Sequence, residues 1–280
     1  MEKTVWLSSY NSELFKLRKR PAVWVVFGVW LALMLVFTYV FPYLGYRAAP
    51  GSATGRALLT NVLPQQLAGQ AITGYPVWGG ALIVVLGALA LGSEYAWGTM
   101  RTMLSNRPSR MTVYTAQMAA LFTSLAALVV IAFLCSALAS ELISVSTKGA
   151  FAGVALGSVA KSIGAGWLIL CMWCTFGSAL GIALRGTALS VGLGLIWVLV
   201  VENVLRAVAS IIAPIGTIEK GLPGVNAGSL VAGLGGATAK TSGDGVAAIV
   251  GGSQALAVVV LFLLVFGVAG GSLLIRRDVH

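Results

Sequence analysis

Six stretches of this chain, each about 20 residues or longer, are too apolar to be solvated by water: 22–42, 74–92, 112–139, 162–184, 187–209 and 253–275. Five of them carry no charge, and 187–209 holds only Glu202 and Arg206. A helix rises 1.5 Å per residue, so about 20 apolar residues cross a ~30 Å hydrocarbon layer. Inside that layer no water is present to bond the backbone, so each segment must satisfy its own N–H and C=O groups as a helix. The expected fold is an all-α polytopic membrane protein, a single transmembrane domain over 1–280 with six transmembrane helices.

The composition excludes the alternatives. Hydrophobic residues make up 58% of the 280 positions and charged residues 9%, against roughly 25% charged in a soluble domain. Disordered chains are polar and charged, so disorder is excluded as well. The net charge is +10, which in a soluble protein would point to nucleic acid. Here the charges fall mostly between apolar runs, where they orient the chain and meet anionic lipid head groups, so lipid is the expected partner and nucleic acid is not. Cys171 and Cys174 form a C-x-x-C, but the only histidine is His280. A haem or zinc site would need more, and the cysteines read as small packing residues with no cofactor.

Orientation follows from the basic residues. With both termini cytoplasmic, the inner segments hold 11 of the 18 Lys and Arg residues, although the outer segments are about twice as long. The cluster Lys16, Arg18, Lys19, Arg20 directly before the first run is the strongest signal. That run exceeds a secretory signal core, and no clean A-x-A site follows it, so it is expected to remain as a span. Residues 4–20 read as an amphipathic helix with Trp6, Tyr10, Leu14 and Leu17 on one face, lying on the inner membrane surface. The outer connections are expected to be a loop over 44–75, a segment whose part 150–160 is interfacial or re-entrant, and a Gly/Ala/Ser/Thr-rich loop over 210–252. The G-x-x-x-G pairs Gly177/Gly181 and Gly267/Gly271 allow close helix approach, but 35 glycines would produce such spacing by chance.

Catalytic motifs are missing. Lys161-Ser162 and Lys240-Thr241 lack both glycines of a phosphate-cradling G-x-x-x-x-G-K-[ST], and one histidine permits neither H-E-x-x-H nor a credible triad. An enzyme acting alone is not expected. The informative segment is the inner loop 92–110, a short helix-prone stretch. Glu94 comes early and Arg101 and Arg107 late, as the helix dipole favours. Tyr95, Met100, Met103 and Leu104 are apolar side chains left outside any span, and Pro108 ends the stretch before Arg110. Such an amphipathic stub suits a groove on another protein or lipid.

The string Glu94-x-x-x-Gly98-Thr99, followed by Leu104, Pro108, Ser109 and Arg110, resembles the E-x-x-x-G-T…L-L…P-x-S-R signature of ABC-2 type transporter permeases. Glu13-Leu-Phe-Lys-Leu-Arg is similar to that family's start before its first span. The resemblance implies the membrane subunit of a bacterial ABC exporter in the cytoplasmic membrane. It further implies a coupling helix between spans two and three that docks on a separate ATP-binding subunit. Glu94, Tyr95, Gly98, Thr99, Met100, Arg101, Leu104, Pro108 and Arg110 would form that interface. A second permease subunit, identical or a sister chain, would complete the path. Two positions depart from the pattern: Pro108 directly precedes Ser109-Arg110, and Gln117 stands where the family often has a basic residue.

Glu202 and Arg206 lie four apart on the fifth run and can face each other. Counted from Arg185, they sit about 24 and 30 Å along it, in the outer leaflet. An intramembrane carboxylate by default marks function, here the outer end of a translocation path; an internal salt bridge is the competing reading. A stand-alone ion-coupled transporter or channel would need more such residues. A membrane protein that only recruits partners through the inner loop is the other rival.

Overall fold

The computed structural model describes residues 2–96, 109–147, 155–209, 211–236 and 245–276. Among these, no strand occurs and six helices are long and apolar enough to cross a membrane: span 1 (Pro21–Ala48), span 2 (Tyr75–Tyr95), span 3 (Arg110–Ser146), span 4 (Leu156–Leu184), span 5 (Thr187–Ala209) and span 6 (Gly252–Arg276). Every one contains most of an apolar run. Five of the six helices are longer than their runs, because a helix continues into the head-group layer wherever its own hydrogen bonds continue. Span 3 has 37 residues, about 55 Å, and overreaches a ~30 Å layer.

Spans 2 and 4 form the buried centre, and spans 1, 3, 5 and 6 surround them. Small residues decide this. Gly87 lies against the carbonyl of Cys174, and Gly177 against the carbonyl of Val84; a Cβ at either would run into backbone. Gly181 approaches the amide of Gly92 in the same way, and Ser178 Oγ donates to Gly87 O at 3.4 Å. Of the two G-x-x-x-G pairs, the one in span 4 therefore makes a helix seam. Gly267 instead offers its carbonyl to Tyr114 OH at 2.8 Å, which joins span 6 to span 3. Outward faces are apolar: Val29 and Phe37 on span 1, Leu134 and Leu138 on span 3, Leu193 and Val200 on span 5, Leu261 and Leu264 on span 6.

Three spans carry a widened π-helical turn: Val36–Val40, Tyr75–Gly79 and Ile196–Val201. In span 1 proline accounts for it. Pro42 cannot donate and its ring crowds the turn before it, so span 1 opens by one residue rather than breaking, whereas Pro76 lies in the first turn of span 2, inside its widened turn. Gly79 N donates five residues back to Gly74 O at 2.9 Å.

Several connections differ from expectation. The N-terminal helix (Glu2–Lys19) exists, but its apolar face packs on span 3 rather than on lipid. Trp6 Nε1 donates to Thr115 Oγ1 at 3.1 Å, Tyr10 OH to Thr123 Oγ1 at 3.0 Å, and Leu17 is buried. Residues 156–160 are the first turns of span 4, not a separate interfacial piece; 150–154 lie outside the described residues. Residues 67–74, expected in a loop, are buried, and so are 223–231 of the helix Pro223–Gly233. These two segments form a wedge between the spans, with Gly69 backed directly onto Gly235 and Gly236. These three glycines let backbones meet where side chains would hold them apart. Pro223 starts its helix at the position where a missing N–H is harmless. Gly235, at φ 88, turns the chain out of it. Ser229 then holds the returning segment, donating to Ala247 O at 2.9 Å and accepting from Ile249 N at 3.2 Å.

Candidate functional site

Two charged sites stand at opposite ends of span 2. The first is a joint between the N-terminal helix, span 1 and the end of span 2. Pro21 disfavours helical geometry at the residue before it, so Arg20 is extended (φ −80, ψ 114) and makes a one-residue break between two helices. Its side chain reaches span 2, where Nη2 meets Glu94 Oε1 at 2.5 Å and Nη1 donates to Ser93 Oγ at 3.2 Å. Lys16 Nζ lies 2.8 Å from Glu13 Oε1 and 3.9 Å from Glu94 Oε1. Glu94 is 2% exposed. It belongs to the last described turns of a helix running Gly80–Ala96, not to the first turn of a new helix. A buried carboxylate is costly when unpaired, so the two cations are what make this placement tolerable.

The joint also accounts for Gln117. It is buried beside Glu13, Lys16 and Arg20, and its Oε1 accepts no hydrogen bond. Two carboxylates and two cations already balance there. A basic residue at this place would add an uncompensated buried charge.

Across the loop, Ser109 caps span 3: its Oγ accepts from Thr112 N at 3.1 Å. Arg110, next to it, turns toward span 6 and donates to Leu274 O at 3.2 Å and Ile275 O at 3.3 Å. Both carbonyls lie in the last described turn of span 6, where a cation is also favoured by the negative side of the helix dipole. The Ser-Arg pair thus ties the start of span 3 to the end of span 6. Of the remaining expected interface residues, Tyr95 packs half-buried on the core, while Gly98, Thr99, Met100, Arg101, Leu104 and Pro108 lie outside the described residues.

The second site surrounds Glu202, 1% exposed. Arg206 Nη2 lies 3.5 Å from its Oε2. Trp197 Nε1 and Gly224 N both donate to its Oε1, each at 3.2 Å. Gly224 stands in the first turn of the wedge helix, so the carboxylate answers an orphan amide at the positive end of that helix. A Cβ at Gly224 would collide with the Glu202 carboxylate. Gly245 sits against both Arg206 and Val77, which places the pair beside the start of span 2 and away from Glu94. Sequence reading finds the Glu202–Arg206 spacing but not Trp197, Gly224 or Gly245. The one available signal was Leu222-Pro223-Gly224, a helix start inside a connection otherwise rich in small residues.

Neither site has the makings of a metal centre: among the described residues no group of three His, Cys, Asp or Glu side chains comes together, and Cys171 and Cys174 are buried free thiols. A family model described as ABC-2 family transporter protein matches residues 10–201, from the middle of the N-terminal helix to the residue before Glu202. No curated protein matches the chain.

Proposed function

The chain belongs to the ABC-2 transporter family, and from this premise we propose that it is the permease subunit of an ATP-driven exporter in a bacterial cytoplasmic membrane. The basic end of the bundle, with both termini, faces the cytoplasm, as the charge bias requires. ATP hydrolysis belongs to a separate ATP-binding subunit, in keeping with the absence of a P-loop sequence. A second permease subunit, identical or a sister chain, shares the path.

The observation that carries this reading is that the loop 97–108 is tied at both ends. On one side Glu94 is locked to Arg20 and Lys16; on the other, Arg110 is locked to the Leu274 and Ile275 carbonyls of span 6. Anything that grips the loop therefore moves the N-terminal helix and spans 1, 2, 3 and 6 together, rather than bending a free turn. Partner contact falls to the apolar and basic residues of the loop, Met100, Arg101 and Leu104. Glu94, being buried, passes motion inward. At the far end Glu202 and Arg206 hold the wedge helix against the outer mouth of the path.

Co-purification of the ATP-binding subunit with the full chain tests this. Leu104→Asp leaves membrane insertion intact and weakens docking about 30-fold or more, as loss of a buried interface anchor does. Wild-type retention by Leu104→Asp would reduce the loop to an ordinary turn and remove the support for a coupling helix.

A further inference from the structure

A groove of about 400 Å³ opens to the membrane between the N-terminal helix, span 1 and span 3. We propose that it holds one acyl chain of an anionic glycerophospholipid whose phosphate is bound by Arg18. This site is separate from the exporter reading and stands or falls without it.

The groove has the shape and polarity of an acyl-chain site. Its volume falls within the roughly 300–1,000 Å³ of small-molecule pockets. Apolar side chains line it, among them Leu17, Phe27, Leu31, Leu128 and Ile131. Along span 1 it runs from Val23 to Leu31 and along span 3 from Thr123 to Ile131, about 12 Å in each case and so within one leaflet of a ~30 Å layer. Gly28 keeps it open: a Cβ there would meet nothing within 4 Å. Bare glycine on an otherwise bulky helix face leaves a slot where Leu or Val would fill it.

The mouth of the groove selects charge. Arg18 lines it, no acidic side chain does, and among the described residues Arg18 is in no ion pair. Its neighbours Lys16 and Arg20 are spent on Glu13 and Glu94, while Lys19 lies over the Phe15 ring at 5.6 Å. Trp24 stands beside the mouth, 61% exposed, with its indole Nε1 donating to Arg18 O at 2.9 Å. A tryptophan with its ring in the apolar slot and its N–H at the polar rim marks head-group depth. Thr123 and Ser124 on the facing helix complete a polar rim above an apolar floor.

The test uses the full chain reconstituted in vesicles with equal amounts of phosphatidylglycerol and phosphatidylcholine, then released in mild detergent and weighed intact by native mass spectrometry. The wild type retains phosphatidylglycerol over phosphatidylcholine by about fivefold, the preference one cation supplies at a membrane surface. Arg18→Gln still retains lipid but loses that preference. Gly28→Leu puts its Cβ in open space, fills the slot and loses the retained lipid, and its elution volume and thermal midpoint report that the fold persists. Equal retention of both lipids by the wild type overturns the proposal, as does undiminished retention by a folded Gly28→Leu. Efficient cross-linking of Gly28→Cys to a second copy would show that a protein helix occupies the groove instead, and would overturn it equally.

Discussion

Glu94 and Glu202 are both buried carboxylates set against an arginine, yet they are built in opposite ways. Glu94 takes its partners, Arg20 and Lys16, from a region more than 70 positions away, so its charge joins two parts of the chain. Glu202 takes its partner from its own helix, four residues on, and it is the Gly224 amide that makes it a cross-link. Their surroundings differ too. The Arg20 and Lys16 side chains keep 22% and 34% of their surface exposed, whereas Arg206 keeps 15%. Cations at the Glu94 joint can reach water when their partner is lost; Arg206 is held deeper. The joint is thus suited to rearrangement under load, and the Glu202 latch to staying shut.

Removing the Glu202 charge should have the largest effect. Glu202→Ala strands Arg206 and the Gly224 amide together, which costs about 3–5 kcal/mol for a buried pair broken on one side. Thermal or denaturant unfolding in detergent measures it. Glu202→Gln keeps an acceptor for Gly224 and should recover part of the loss; equal damage from both variants would mean that charge, not the helix cap, matters. A loss below about 1 kcal/mol for the alanine variant would erase the contrast with Glu94 altogether.

The Glu94 joint is sharpened by a double-mutant cycle. Glu94→Ala and Arg20→Ala should each destabilise, and the pair should couple by about 0.5–3 kcal/mol because they share one contact. Strict additivity would show that the two side chains act separately, and the loop would then be tied at one end only.

Two glycines give the smallest and cleanest comparison. Gly224→Ala pushes a methyl group into the Glu202 carboxylate and should cost about 1–3 kcal/mol, as overpacking does. Gly28→Ala meets open space on a helix and should be neutral or stabilise by about 0.5–1 kcal/mol. Matching effects would mean that the wedge helix is free to shift away from Glu202.

The parts of this fold that hydropathy dictates were legible. Apolar runs about as long as a bilayer crossing have one outcome, and the six helices contain most of each. The short motifs around Glu94 and Ser109-Arg110 pointed to the family that the chain belongs to. The wedge was not legible. Segments 67–74 and 223–231 are too short to span and too rich in Gly, Ala and Ser to show a periodic face, so sequence alone gives them the composition of a loop. Their burial depends on backbone fit between Gly69 and Gly235–Gly236, a pairing distant in the chain. The N-terminal helix shows a related difficulty. Trp6, Tyr10 and Leu17 do share a face, but an apolar face does not say whether lipid or span 3 will cover it. Glu94 was read at a helix start for want of its partner; it lies within the helix Gly80–Ala96, where Arg20 pairs with it.

The wedge has a consequence for how the protein is made. Gly69 is synthesised early and Gly235–Gly236 late, more than 160 positions further along the chain. At about 5–20 residues per second the first half waits roughly 8–33 s for the second. During that interval spans 1 to 4 can insert and zip along their glycine seam, while residues 67–74 remain without their cover. Arg110 waits in the same way for the carbonyls of Leu274 and Ile275. Both ends of the bundle are therefore closed by segments made well after span 4, and a chain stalled after span 4 would present the membrane's quality-control proteases with an open bundle whose central helices are already in place.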